Sequence, residues 1–373
     1  MMCYHLPIGS VCIRCGRGGC YLIAWPPDTM VLTSLLLLSS LLLRLILPLQ
    51  LNDFPPLPDV GLVYITNTGL TDMADQRALS RIIMGTESEY EGGANSRNRN
   101  SELANVYDIG APIEAALAYH HEMTYKSHSI ETLGFLCKHA VNRDDVGWSY
   151  VSDSVQAHDW IMQTPFGQKL KEKGLCFVRR MTDATKEPTD EGEKSKIYNH
   201  WQQSWMTNDP DEAQKKAEEQ GLTVEWVDDP EQGRIMLTKY YKSAFEYVPY
   251  LDRNIMVTSI ADDDVWFDSW PGIMDMPPEE RPLEMFFGDD EPITLEEKQV
   301  WTDAYDRFGI PLKWQEGDVA VLDNMRYAHG RPGIHLLPGE QRELGVVLGK
   351  HYDLQQHRDD KWTESDMMVA SVE

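Results

Sequence analysis

The chain has 373 residues, 42% of them hydrophobic and 10% aromatic, enough to bury a substantial core in one large domain or two average ones. Sixty acidic residues against 34 basic ones leave a formal net charge of −26. That excess argues against nucleic acid or an anionic membrane surface as a partner, because phosphate binding needs clustered Lys and Arg, but acidity alone specifies no function.

The first fifty residues read as a separate object. Cys3, Cys12, Cys15 and Cys20 crowd the start, yet Cys12 and Cys15 form a lone C-x-x-C with no second pair at zinc-finger spacing nearby. The rest of the chain holds only Cys137 and Cys176, and so does not depend on disulfides. Residues 31–51, "VLTSLLLLSSLLLRLILPLQL", are dominated by leucine and carry one charge, Arg44. A spanning helix needs about 20 apolar residues, so this run is marginal, with Pro48 near one end. Arg14 and Arg17 precede it as in the basic region of a signal or anchor sequence. Residues 1–52 are therefore expected to be a targeting or anchor segment, or else the product of a misplaced start in the gene model. Organelle or secretory-pathway targeting follows from the first reading and a cytoplasmic protein from the second. Association with a membrane is expected through residues 31–51 only.

"NDFPPLPD" (52–59) reads as a linker, and one domain spans 55–352, followed by a polar tail, 353–373. Within the domain, "VGLVYI" (60–65), "IETLGFLC" (130–137), "GLCFVRR" (174–180), "NIMVTSI" (254–260), "DVAVLD" (318–323) and "RELGVVLG" (342–349) are apolar or alternating runs predicted as strands. Thr164-Pro165 opens a helix that Gly174 closes, and Asp209-Pro210 opens one that closes at Gly221. A third begins at Thr294, three residues before Glu297 in a capping box, and stops at Gly309. Its Leu295, Trp301, Tyr305 and Phe308 are expected on one buried face. Strands flanking a mostly helical middle predict a β-sandwich or barrel with a long insertion, not a doubly wound parallel sheet. No glycine-rich nucleotide motif supports nucleotide chemistry.

"AYHHEMTY" (118–125) sets His120, His121 and Glu122 side by side. On an extended strand His120 and Glu122 point to the same face and His121 to the other. In "EGDVAVLDNMRYAHGRPG" a strand ending at Asp323 leads into a turn and then His329. Two histidines and one carboxylate with open coordination positions form the facial triad of non-haem Fe(II) oxygenases. The same set also suits zinc, and among eleven histidines an H-x-[DE] pair arises by chance as well.

From Gly61 to Gly349 the sequence resembles the taurine-catabolism-type Fe(II)/2-oxoglutarate dioxygenases, above all the clavaminate synthase-like proteins. The resemblance runs in order through "YEGGANSRNRN" (90–100), "YHHEMTY" (119–125), "TLGFLC" (132–137), "WQQSWMTND" (201–209), "VEW" (224–226), "VWFDSW" (265–270), "FGDDEPI" (287–293) and "WQEGDVAVLDNMRYAHGR" (314–331). It implies an α+β, mainly β fold: a double-stranded β-helix, or jelly roll, with a long, partly helical insertion. It also implies His120, Glu122 and His329 as iron ligands, with 2-oxoglutarate and O₂ as co-substrates. Arg342, thirteen residues after His329, matches the family's arginine for the far carboxylate of 2-oxoglutarate, a role that suits a bidentate guanidinium. Ser149 stands where many relatives carry a threonine that helps bind the same molecule.

The departures are specific. Trp148 replaces an acidic residue, and Asp268 replaces an asparagine, which alters the substrate pocket or reflects drift. Arg97 is matched by an arginine in close relatives and either meets an anionic substrate or forms a structural salt bridge. Arg331 is expected beside the metal or facing substrate. Val346 occupies the position of a second arginine, so sulfonate recognition is not expected. Relatives that halogenate lack the carboxylate at Glu122, so its presence implies hydroxylation or desaturation. The alternative is a degenerate scaffold that binds a ligand or metal without turnover.

Overall fold

The computed structural model describes residues 57–90, 103–108, 113–186, 200–230, 232–260 and 272–367, together with backbone strands at 2–5, 10–14 and 20–24. The leucine-rich run 31–51, Arg97 and Asp268 lie outside the described residues. Among the described residues no helix is long and apolar enough to cross a membrane.

The strands that position the site are β1 (Leu62–Thr66), β2 (Tyr107–Asp108), β3 (Leu117–His120), β4 (Thr132–His139), β5 (Trp148–Asp153), β6 (Gly309–Lys313), β7 (Val319–Asp323), β8 (Tyr327–Arg331) and β9 (Glu343–Leu348). They form two antiparallel arrays. One runs β1-β7-β4-β9-β2, and Cys20–Ala24 joins its β1 edge in parallel. The other runs β6-β5-β8-β3.

Strand alternation decides which way each side chain faces. Ala320 and Leu322 of β7, Leu344 and Val346 of β9, and Leu62 and Tyr64 of β1 share a core with Val151 and Leu312 of the opposite sheet, so the two sheets pack face to face. Val319, Val321 and Val347 turn to the other side and pack with Met73, Leu79 and Ile83 of helix α1 (Met73–Met84). The first sheet is thus apolar on both faces, which explains runs such as "VAVL" that do not alternate in hydrophobicity. Each fully buried aliphatic side chain here contributes about 1.5–3 kcal/mol of burial free energy.

Residues 154–308 form the insertion between β5 and β6. It holds helices α2 (Ser154–Ile161), α3 (Pro165–Lys173), α4 (Trp201–Trp205), α5 (Pro210–Glu219) and α6 (Leu295–Arg307). Its four-stranded antiparallel sheet is ordered 223–229, 233–242, 175–181, 283–287. Helices α3, α5 and α6 start where their caps predict, at Thr164, Asp209 and Thr294, and the Thr294–Glu297 capping box is reciprocal. Two expectations need correcting. Leu295 is 63% exposed; the buried face of α6 is Lys298, Trp301, Ala304 and Tyr305. At about 100° per residue, Leu295 lies roughly 120° round the helix from Trp301, off the stripe. The strand expected over 254–260 covers only Arg253–Met256. Thr258 beyond it bonds to His121 instead of a neighbouring strand.

Past β9, His351–Asp353 pairs with His128–Ile130. The chain then returns to α2, where the buried Asp366 meets His158 Nε2 at 2.9 Å.

Candidate metal centre

Strand β3 ends at His120, whose antiparallel partner across the ladder is His329 of β8, and their rings sit 4.2 Å apart. Gly330 permits this approach: a Cβ there would stand 2.7 Å from the Leu117 carbonyl oxygen. The strand ending at Asp323 leads through a short connection into β8, which carries His329.

Glu122 is not on a strand. The ladder stops at His120, and residues 122–125 form a turn in which Met123 takes φ 61°. Same-face alternation therefore does not bring Glu122 to His120; the turn does. The outcome is nonetheless convergent: one donor atom each from His120, Glu122 and His329 lies within 4.8 Å of the others, and Glu122 Oε2 is 3.9 Å from His329 Nε2. Glu122 and His329 are buried and His120 half-buried. The Ala118 carbonyl lies 2.8 Å from His120 Nδ1 and can only accept, so Nδ1 carries the proton and Nε2 keeps its lone pair. Two imidazole nitrogens and a carboxylate make a set that suits Fe(II) or Zn(II).

His121 is oriented elsewhere. Its Nδ1 lies against the Thr258 backbone and its Nε2 is 2.8 Å from Ser154 Oγ at the start of α2. Burial pushes its pKa down to about 3, so the ring is neutral and holds the insertion to the end of β3.

A second cluster lies along the same inter-sheet space. Phe135 packs its ring 5.3 Å from that of His329 and 6.2 Å from that of Trp314. Trp314 Nε1 donates to Ser149 Oγ at 2.9 Å, and Arg342 Nη2 donates to the same oxygen at 3.3 Å. Arg342 immediately precedes β9. Burial, with the nearby Arg331 charge, lowers its pKa to about 10, which still leaves it charged at neutral pH. Among the described residues no carboxylate pairs with it, and its Nε is buried without a partner. A buried guanidinium left in this state calls for an anion.

The other predicted residues divide. Arg331 is buried, and its Nη1 donates to the carbonyls of Ile113, Ala115 and Pro332, so it braces the segment leading into β3. Trp148 donates to the Asp144 carbonyl and lies beneath Lys313, which ties down its own loop. Val346 sits in the core between the sheets. Cys137 and Cys176 are buried free thiols. Sequence reasoning missed Trp314 and Asn324 as contributors; both stand in the "WQEGDVAVLDNM" run, but nothing in their spacing announces a partner.

No family model matches the chain. A clavaminate synthase-like protein of Arabidopsis thaliana is 26% identical over 254 residues, covering 66% of this chain and 69% of that protein. Among solved structures, a taurine dioxygenase from Burkholderia xenovorans aligns over 85% of this chain and 81% of its own, with TM-score 0.41 and 13% identity. The PvcB protein from Pseudomonas aeruginosa aligns over 84% and 87%, with TM-score 0.42 and 11% identity. By sequence, the chain is similar to a clavaminate synthase-like protein, the group its motifs resemble.

Proposed function

We propose that this protein is an Fe(II)- and 2-oxoglutarate-dependent dioxygenase on a double-stranded β-helix. The fold reading is supported by chain path: β2, β4, β7 and β9 lie in one sheet and β3, β5, β6 and β8 in the other, so the chain crosses repeatedly between the two. The functional reading rests on one observation. A two-imidazole, one-carboxylate cluster shares its inter-sheet space with a buried arginine that, among the described residues, lacks an anionic partner.

His120, Glu122 and His329 would hold the iron. When bound, it supplies O₂ activation coupled to decarboxylation of 2-oxoglutarate to succinate and CO₂. The remaining work falls to the chain. Arg342 offers its fork to the far carboxylate of 2-oxoglutarate, and Ser149 offers its hydroxyl proton. Phe135 and the apolar residues between the sheets exclude water, which strengthens both interactions. The carboxylate at Glu122 supports hydroxylation or desaturation of a small, anionic or amino-acid-like substrate, with Arg97, Asp268 and Arg331 as the residues to test for contact.

Anaerobic addition of Fe(II) and then 2-oxoglutarate tests the reading without knowledge of the substrate. A visible metal-to-ligand charge-transfer band that grows with 2-oxoglutarate is the expected result. Metal binding without that band would leave a non-catalytic metal protein, and no metal binding would overturn the assignment altogether.

A further inference from the structure

Ending β3 at His120 creates a problem for the next carboxylate. Past the last ladder pair the chain leaves the strand for a turn at residues 122–125, and Met123 takes a left-handed conformation that non-glycine residues seldom adopt. That turn must hold a carboxylate to within a fraction of an ångström if Glu122 is to share an ion with two histidines.

We propose that Asn324 is the positioning residue for Glu122; the inference rests on the metal-centre reading given above. Its side-chain amide does what a neighbouring strand would do. Oδ1 accepts from the Glu122 N–H at 2.8 Å, and Nδ2 lies 3.1 Å from the Glu122 carbonyl oxygen. Nδ2 also reaches Ser129 Oγ at 3.2 Å and the Ile130 carbonyl at 3.0 Å, so the amide clasps both ends of the segment 122–130. Ser129 completes the clasp by donating to the Glu122 carbonyl at 2.6 Å. Asn324 is fully buried, and its own N–H donates to the Glu131 carbonyl, which fixes its backbone too. It stands in the short connection between β7 and β8, five positions before His329. One side chain therefore ties the segment carrying the carboxylate to the connection that leads into the strand carrying the distal imidazole.

The test is a double-mutant cycle read by metal affinity. Co(II), with its visible d–d bands, is titrated anaerobically into the wild-type chain, Asn324→Ala, Glu122→Ala and the double variant. Loss of a residue that orients a metal ligand typically costs about 10–100-fold in affinity, and that weakening, with altered Co(II) bands, is expected for Asn324→Ala. In the Glu122→Ala background the same change should cost nothing further, because Asn324 acts through the carboxylate. A merely structural role would lower the melting temperature and weaken Co(II) equally in both backgrounds, which would overturn the inference. Unchanged affinity in Asn324→Ala would overturn it as well. Where Asn324→Ala does not fold, Ser129→Ala removes one arm of the clasp and should weaken Co(II) about fivefold, again only while Glu122 is present. An unaltered Ser129→Ala affinity then counts against the clasp. Failure of the wild-type chain to bind Co(II) is a separate result, which removes the metal-centre reading itself.

Discussion

Trp314 and Arg342 donate to the same atom, Ser149 Oγ, at 2.9 and 3.3 Å. A hydroxyl oxygen has two lone pairs, so both are engaged and the Ser149 proton is free to point into the inter-sheet space. Three sequence-distant residues thereby present an aligned guanidinium, indole and hydroxyl to one end of that space.

Arg342→Ala is expected to weaken 2-oxoglutarate strongly and leave Fe(II) affinity nearly unchanged. Truncating one partner of a desolvated charge pair costs about 2–5 kcal/mol, or roughly 30-fold to several thousand-fold. Ser149→Ala and Trp314→Phe each remove a neutral hydrogen bond and should cost about fivefold. Calorimetric titration under argon measures all three. Unaltered 2-oxoglutarate affinity in Arg342→Ala would shift attention to Arg331 or Arg97.

The two adjacent histidines should behave differently. His120→Ala is expected to abolish bound iron and succinate formation, because one imidazole and one carboxylate hold Fe(II) poorly. His121→Ala should keep the metal and lower the melting temperature, since it removes contacts to Thr258 and Ser154 rather than a ligand. Iron retained by His120→Ala and lost from His121→Ala would reverse the assignment.

Gly330→Ala should damage the centre without touching a ligand. Its new Cβ would meet the Leu117 carbonyl and force β8 away from β3 at the His120–His329 pair. Overpacking of this kind costs about 1–3 kcal/mol of stability. The accompanying fall in Fe(II) affinity, measured on protein that remains folded by circular dichroism, distinguishes displaced histidines from simple destabilisation.

Asp318 predicts a pH dependence. Burial pushes its carboxyl up to about 6, partly offset by hydrogen bonds from Tyr64 Oη at 2.6 Å and the Gln315 N–H at 2.9 Å. The folded state thus holds the proton more tightly than the unfolded state. Its contribution is full below about pH 4 and is lost as pH rises through 6, by about 2–3 kcal/mol at most. Asp318→Asn should remove that component from urea-unfolding free energies collected between pH 4.5 and 7.5. An identical slope in both proteins would show that Asp318 is not its source.

Residue patterns carry some of this molecule and not the rest. Helices α3, α5 and α6 were legible because their caps are local chemistry: Thr164, Asp209 and Thr294 each accept from a nearby backbone N–H. Strands buried on both faces, such as β7, announced themselves as apolar runs. The short β8 did not, because "YAHGR" alternates Tyr327, His329 and Arg331 with the small Ala328 and Gly330. His120 and Glu122 were legible as candidates, but the alternation argument for their convergence fails, since strand periodicity ends at His120. What fixes Glu122 is a side chain 202 positions away, and no local pattern encodes such a partner.

That separation has a consequence for assembly on the ribosome. His120 and Glu122 emerge early, whereas Asn324 and His329 follow only after the whole 154–308 insertion has been made. Loop closure over so long a segment is entropically unfavourable until the insertion has condensed. An unfinished chain therefore offers one imidazole and one unfixed carboxylate, a weak and unselective cation trap. On the proposed reading, metal loading is then a late event that reports completion of the fold rather than its beginning.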